Sequence, residues 1–369
     1  MKEAVDYICN RCYRFLYQHV NAQGPVRQFM RNAAFDLFNI KYRTIKLHLS
    51  NSCNLRCKNC YCDLTSKHSI PLEDILSLFG QLRPVNNNFN LHILGGEPLL
   101  REDLFDIIAQ ARKKIKEVIL FTNATLISGH KAAEIKRAGV SAVIVTLHST
   151  YQDVHDGITQ TASSWRMTVE GIKNLVGAGL PTYTFTVLMA ANSGHLDKIE
   201  GFVKSLGAKS MYFPYIRQQE IDDIKIGGRR DFQAALNWAF NKSPRYRDKL
   251  SSILQRRPKA CSAFVSTINI NSDGSVTPCP FLDLKLGNIK EENFYMIMHK
   301  AKMNKQLLDF LSIPRECRAC SLANICGGGC KAFRFNKYKD ALGKDDNCSG
   351  PYREKINLSE LGSYLPYIF

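Results

Sequence analysis

Four of the thirteen cysteines in this chain fall within ten residues, in the stretch Ser52-Cys53-Asn54-Leu55-Arg56-Cys57-Lys58-Asn59-Cys60-Tyr61-Cys62. Thiolates are the usual ligands of iron-sulfur clusters. Cys53, Cys57 and Cys60, spaced C-x3-C-x2-C, can hold three irons of a cubane 4Fe-4S cluster and leave the fourth open to a substrate or cofactor. Zinc is the competing reading, but a structural zinc site takes four closed ligands, usually in two paired sets, and the three-then-two spacing is unusual for it. Cys62 stands outside the pattern and reads as a buried or spectator thiol.

A second concentration lies in the last third: Cys261, Cys279, then Cys317-x2-Cys320-x5-Cys326-x3-Cys330-x17-Cys348. Between Cys261 and Cys279 two alternating runs flank Asn271-Ser272-Asp273-Gly274, a good hairpin turn because Gly, Asn and Asp tolerate positive φ. The glycines between Cys326 and Cys330, "CGGGC", allow a backbone to approach a bulky group. A zinc ribbon is the competing reading of this segment. Cys9 and Cys12, three apart on a helical stretch, share one face and read as core packing.

These residues need a scaffold. From Thr44 to about Arg217 short apolar or β-branched runs (44–50, 90–96, 118–123, 142–148, 182–189, 210–216) alternate with amphipathic stretches (71–83, 102–115, 165–179, 195–207). Six strands alternating with helices predict βαβ units and a parallel sheet, open or closed into part of a barrel, with ligands gathered at the carboxyl ends of the strands. The cysteine loop follows the first strand, Gly95-Gly96-Glu97-Pro98 the second, Thr122-Asn123 the third, and Thr146, His148 and Ser149 close the fourth. Residues 1–43 read as an N-terminal helical extension, 44–217 as the barrel, 218–260 as a helical connector, 261–350 as the cysteine-rich domain and 351–369 as a tail.

The C-x3-C-x2-C loop after the first strand, with "GGEP" after the second, resembles the radical S-adenosylmethionine superfamily. The resemblance implies a partial (β/α)6 TIM-type barrel within an α/β fold. In that family the open iron chelates the amino and carboxylate groups of S-adenosylmethionine, and one-electron reduction cleaves it to methionine and a 5′-deoxyadenosyl radical. The resemblance implies that Gly95, Gly96, Glu97 and Pro98 contact the methionine ammonium, which carbonyls and a carboxylate suit as acceptors. Thr122, Asn123, Thr146, His148 and Ser149 match polar cofactor contacts of the family, with Arg166 and Asn192 as weaker candidates. In the family the residue before the third cysteine is usually an aromatic that packs on the adenine; here it is Asn59.

The later cysteines resemble the SPASM extension of the same superfamily, which carries two auxiliary 4Fe-4S clusters. By that resemblance Cys317, Cys320, Cys326 and Cys348 close one cluster. Cys261, Cys279 and Cys330 hold the other, leaving its fourth iron open, water-bound or held by a non-cysteine ligand. The implied cofactors are three 4Fe-4S clusters and S-adenosylmethionine, and the implied partner is a reductase such as flavodoxin or ferredoxin.

Composition sets the outer bounds. With 369 residues and 45% hydrophobic content the chain can bury a full core. It has neither a signal-type h-region nor the run of about 18 apolar residues that a span needs, so a cytoplasmic, non-membrane enzyme is expected, and thiols there stay reduced. The formal charge of +17 is spread along the chain. It reads as a solvated basic surface, or else as a tilt toward an anionic substrate, and no nucleic-acid motif accompanies it. Sulfatase-maturing members of the family carry an Asp after the hairpin cysteine where this chain has Pro280. The 43 residues before the first strand are too few for a leader-binding module. A peptide or protein substrate is expected, with oxidation, cross-linking or epimerisation as outcomes. A small anionic molecule such as a sugar, nucleotide-sugar or cofactor precursor is the alternative, and a non-catalytic iron-sulfur electron carrier is the second.

Overall fold

The computed structural model describes residues 44–82, 90–214, 261–264, 266–321, 323, 327–340 and 342–343. The expected N-terminal extension, connector and tail lie outside the described residues, as do Cys9, Cys12, Cys326 and Cys348.

Six strands, β1 (Thr44–His48), β2 (Asn90–Leu94), β3 (Glu117–Thr122), β4 (Ala142–Thr146), β5 (Thr182–Leu188) and β6 (Lys209–Pro214), lie side by side in sequence order and all run parallel. The crossovers carry α1 (Leu72–Gln81), α2 (Leu104–Arg112), α3 (Gly129–Ala138), α4 (Gln152–Thr159), α5 (Ser164–Gly177), the single turn α6 (Ala190–Ser193) and α7 (Leu196–Ser205). Right-handed crossovers between adjacent parallel strands set every helix on one face of the sheet. That face takes the alternate residues Ile45, Leu47, Leu91, Ile93, Val118, Leu120, Val143 and Val145, all essentially without solvent contact.

The other set of alternate residues, Lys46, His48, His92, Phe121, Tyr183 and Phe185, faces the opposite way. Neighbouring strands stand about 4.8 Å apart, so second neighbours in a flat sheet are about 9.6 Å apart. Yet the rings of Phe121 on β3 and Phe185 on β5 have centroids 6.5 Å apart, converging as side chains do on the concave side of a curved sheet. The result is an open partial barrel whose lumen is lined by these residues.

Beyond β1 the sheet continues. Strand β7 (Thr267–Ile270) pairs parallel with β1, with Lys46 opposite Asn269, and turns through Asn271–Gly274 into antiparallel β8 (Ser275–Thr277), followed by β9 (Gly287–Asn288). The turn closes as expected, with the Gly274 amide donating to Asn271 O at 2.8 Å and Gly274 at φ 86°. The hairpin between the two cysteines therefore extends the barrel sheet. β1 would otherwise present a bare row of amides and carbonyls, and β7 covers it. Among the described residues no helix is long and apolar enough to cross a membrane.

Candidate active site

The loop that leaves β1 is pinned at its neck. Asn51 N donates to His68 O at 2.9 Å and Ile70 N to Leu49 O at 3.0 Å, and Ser50 and Ser69 form a bridge, so residues 51–68 leave and return at one point. Arg101 staples that neck, its guanidinium donating to Leu49 O (3.2 Å), Ser69 Oγ (2.9 Å) and Ile70 O (2.7 Å). Asp103 holds the guanidinium from its other side with two bonds of 2.8 and 2.6 Å, the planar fork that arginine offers a carboxylate. Midway, Arg56 N and Lys58 N donate to the carbonyls of Thr159 and Ile158 at the end of α4.

The Gly95-Gly96-Glu97 backbone lies directly on the root of this loop. Gly96 N donates to Ser50 O at 2.8 Å and Glu97 N to Ser52 O at 2.7 Å. A methyl group at Gly96 would sit 2.1 Å from Ser52 O, and Gly95 adopts φ 151°, so both glycines are dictated by this approach.

Glu97 is fully buried, and its carboxylate accepts from Leu99 N (3.1 Å), the Thr122 hydroxyl (2.8 Å) and Asn123 N (2.8 Å). Burial pushes its pKa up to about 7, against the pull of these donors. The carboxylate thereby ties the end of β2 to the end of β3. Asn123 continues the chain of bonds, its amide donating to Asn54 Oδ1 at 2.9 Å and lying 4.0 Å from Cys53 Sγ.

The thiols suit cluster ligation. Cys53 Sγ accepts from Leu55 N at 3.4 Å, and donors aimed at sulfur are what a cluster thiolate needs. Burial and the neighbouring thiols push Cys57 up to about 12, and burial raises Cys53 as well, so deprotonating them here calls for the compensating charge of bound iron. Cys60 is drawn down to about 7, chiefly by its hydrogen bond with Cys62. Cys62 does more than fill space, because its thiol donates to Gly95 O at 3.5 Å and joins the cysteine loop to the glycine segment.

The remaining expected residues divide. Asn192 is fully buried and spent on backbone, donating to His148 O (2.9 Å) and Val187 O (2.8 Å) and accepting from Met189 N (2.8 Å). It clamps the end of β4 to the end of β5. Ser149 accepts from Tyr151 N through Oγ and from Trp165 Nε1 through its carbonyl. His148 is buried, neither ring nitrogen has a hydrogen-bond partner among the described residues, and burial, then His155, lowers its pKa to about 3. Thr146 ends β4 half-buried, opposite Phe185. Arg166 is exposed, with one long bond to Ser163 Oγ at 3.5 Å.

Asn59, beside the third cysteine, has its Oδ1 buried with no hydrogen-bond partner among the described residues. Tyr61 does not replace the missing aromatic, because its ring stands edge-on between His48 (5.7 Å) and Phe281 (5.0 Å), linking the first cysteine loop to the hairpin. A pocket of about 200 Å³ opens beside the loop, lined by Lys58, Asp153, Val154, Ile158, Met189 and Ala191.

In the second set Cys261 is exposed, Cys279, Cys320 and Cys330 are half-buried and Cys317 is buried, and no disulfide joins the described cysteines. Burial and the nearby Cys261 push Cys279 up to about 12, with the Lys46 ammonium pulling the other way. Gly327, Gly328 and Gly329 all take positive φ (68°, 98° and 75°), so the turn into Cys330 is one that only glycines make readily.

Comparison with known proteins agrees with this geometry. Residues 47–202 match the model of the radical SAM superfamily, and residues 261–321 match that of an iron-sulfur cluster-binding domain, SPASM. The chain belongs to the radical SAM superfamily, as an enzyme that carries a SPASM domain and, with it, 4Fe-4S clusters and an S-adenosylmethionine site. The AdoMet-dependent heme synthase of Oleidesulfovibrio alaskensis is 23% identical over 85% of this chain and 88% of its own length. The antilisterial bacteriocin subtilosin biosynthesis protein AlbA of Bacillus subtilis is 24% identical over 79% of this chain and 68% of its own. Streptococcus suis SuiB, solved bound to precursor peptide SuiA, shares the fold with a TM-score of 0.67 at 15% identity, over 94% of this chain and 90% of that one.

Proposed function

We propose that this enzyme binds S-adenosylmethionine at the C-terminal rim of its barrel and abstracts a hydrogen atom from a peptide or protein substrate in the lumen. The observation that carries the reading is the pair of backbone bonds from Gly96 and Glu97 to Ser50 and Ser52, which lay the glycine segment against the root of the three-thiol loop. Cys53, Cys57 and Cys60 hold the cofactor cluster. Cys261, Cys279 and Cys330 hold the inner auxiliary cluster, and Cys317, Cys320, Cys326 and Cys348 the outer one. When bound and reduced by one electron from a flavodoxin- or ferredoxin-type donor, the first cluster supplies the electron that splits S-adenosylmethionine into methionine and the 5′-deoxyadenosyl radical, which becomes 5′-deoxyadenosine on taking the substrate hydrogen.

The chain's own residues orient the cofactor. Backbone carbonyls of Gly95 and Gly96 receive the ammonium, Asn123, Thr146 and His148 face the polar part, and Ile158 and Met189 give an apolar wall where the usual aromatic is replaced by Asn59. Glu97, Asn192 and Ser149 hold these parts in place. The peptide assignment is supported by AlbA and by SuiB with its precursor peptide. A small anionic substrate is the second reading, favoured by the match to a heme synthase along most of both chains.

The test is anaerobic reconstitution with iron, sulfide, S-adenosylmethionine and a reductant. About twelve irons per chain and release of 5′-deoxyadenosine are expected. Replacing Cys53, Cys57 and Cys60 together by Ala removes about a third of the iron and all of the product. Wild-type protein that takes up twelve irons but makes no 5′-deoxyadenosine refutes the reading, and adding a peptide library in one arm and small organic acids in another separates the substrate classes.

A further inference from the structure

The thiol that the cluster loop leaves over, Cys62, is set against a thiol that the cluster uses. The Cys62 amide donates to Cys60 Sγ and the two side chains share a hydrogen bond, so residue 62 reaches that sulfur twice. The Cys62 thiol also lies 3.5 Å from Gly95 O, which holds it at the root of the loop. Cys53 and Cys57 lie near enough to Cys60 to feel its charge, but the hydrogen bond is with Cys62. Cys60 is exposed, while Cys53, Cys57 and Cys62 are half-buried.

Without a cluster, an oxidant arriving from solvent therefore meets Cys60 first. A peroxide reacts there by breaking its O–O bond: the sulfur takes one oxygen as a sulfenic acid, and the rest leaves as water or an alcohol. Cys62 completes the step. Its sulfur displaces the hydroxyl from Cys60, the S–O bond breaks as the S–S bond forms, and the Cys62 proton leaves with the hydroxyl as water. The two thiols lose two electrons and the peroxide gains them. Chain geometry permits the bond, because Cα atoms two residues apart are separated by at most about 7 Å and a disulfide spans about 4.4–6.8 Å. A thiol already in contact forestalls a second peroxide, which must diffuse in and which takes the sulfur to a sulfinic acid that thiol reductants do not reverse.

We propose that Cys60 and Cys62 form a reversible disulfide when the first cluster is lost to peroxide, with Cys62 as the resolving thiol that keeps a cluster ligand recoverable. The disulfide takes one of the three iron ligands out of use, and exchange with a thiol reductant returns it for reassembly. It presupposes that Cys60 is a ligand of the cofactor cluster, and it goes beyond the radical-enzyme reading in giving the fourth thiol of the loop a task of its own.

The test is peptide mass mapping of the reconstituted full chain after a small molar excess of hydrogen peroxide, with remaining thiols blocked by N-ethylmaleimide before digestion. Trypsin cuts after Lys58 and Lys67, so Cys60 and Cys62 fall in one peptide, 59–67, and Cys57 in another. In the wild type that peptide is expected to be lighter by two hydrogen atoms, and dithiothreitol returns both thiols. In Cys62→Ser, which keeps a donor for Gly95 O, Cys60 carries two or three oxygens and the share recovered as thiol falls at least fivefold. A bridge from Cys60 to Cys57 or Cys53, a Cys60 carrying two or three oxygens in the wild type, or equal recovery in the two proteins overturns the proposal. The wild-type map decides by itself if the variant takes up no iron. Iron content and 5′-deoxyadenosine release of the untreated enzyme are separate results, and a wild type that makes no 5′-deoxyadenosine refutes the radical reading instead.

Discussion

The Glu97 carboxylate lies 2.8 Å from the Asn123 backbone amide, joining the end of β2 to the end of β3 at a point sealed from solvent. The same carboxylate holds Leu99 N and the Thr122 hydroxyl, so one side chain fixes three donors. Asn123 in turn reaches Asn54, next to the first cluster cysteine. An acidic residue in a loop full of polar candidates is in this way a bracket for the loop.

Glu97→Ala therefore leaves three donors unsatisfied, two of them main-chain amides. A cost of about 2–4 kcal/mol is expected, since a buried unpaired group loses roughly 1–3 kcal/mol and neighbouring losses do not add fully. Glu97→Gln keeps one oxygen but sets an amide NH2 against a donor, and should cost less than Ala. Urea unfolding of the cluster-free chain checks this, and an Ala variant within 0.5 kcal/mol of wild type would sink it.

Gly96→Ala tests the approach of the glycine segment to the cysteine loop. The new methyl group would meet Ser52 O at 2.1 Å, a backbone atom that cannot swing aside. The segment must lift away, breaking the bonds from Gly96 N and Glu97 N. We expect iron uptake at Cys53, Cys57 and Cys60 to persist while affinity for S-adenosylhomocysteine falls at least tenfold. Unchanged affinity by calorimetry would show that the ligand does not use this segment.

Arg101 and Asp103 predict a third effect. The Arg101 side chain holds Asp103 below the usual carboxylate range by direct hydrogen bonding, and in return is aimed at the carbonyls of Leu49 and Ile70. A depressed carboxylate pKa stabilises the fold above the unfolded value and is lost as pH falls through the folded one, so the staple weakens only in strong acid. Asp103→Asn should cost about 1 kcal/mol at pH 7 and speed proteolysis within residues 51–68. A digestion pattern identical to wild type would show that the guanidinium needs no partner.

How much of this was legible in the sequence follows from where each signal lies. The parallel strands show as apolar runs because both of their faces are covered, and the cysteines declare their chemistry by spacing alone. Helix α3, "GHKAAEIKRA", buries only Ala132 and Ile135, so its apolar stripe is too thin to stand out. Arg101 is silent because its acceptors are carbonyls 52 and 31 residues away. The pairing of β7 with β1 has no local signature at all, and with it the facing of Lys46 and Asn269 was hidden.

His148 and His155 predict how the rim responds to acid. Both rings are buried, with centroids 5.6 Å apart, and His155 Nδ1 accepts from His148 N. Burial lowers His155 to about 4; burial and then the neighbouring His155 lower His148 to about 3, against an ordinary value of 6.5. Below pH 6.5 the unfolded chain takes up protons that the folded one refuses, so ∂ΔG/∂pH is positive there and stability drops as pH falls. The neutral pair's contribution is whole above pH 6.5 and drains away toward pH 3–4. Each histidine should remove about 1–2 kcal/mol between pH 7 and pH 5. His148→Leu fills the same space without a titrating group, and should lessen the fall by its own share of about 1–2 kcal/mol. Urea unfolding of the cluster-free chain at the two pH values measures it, and a His148→Leu slope equal to that of wild type would mean that protons reach this ring in the folded protein.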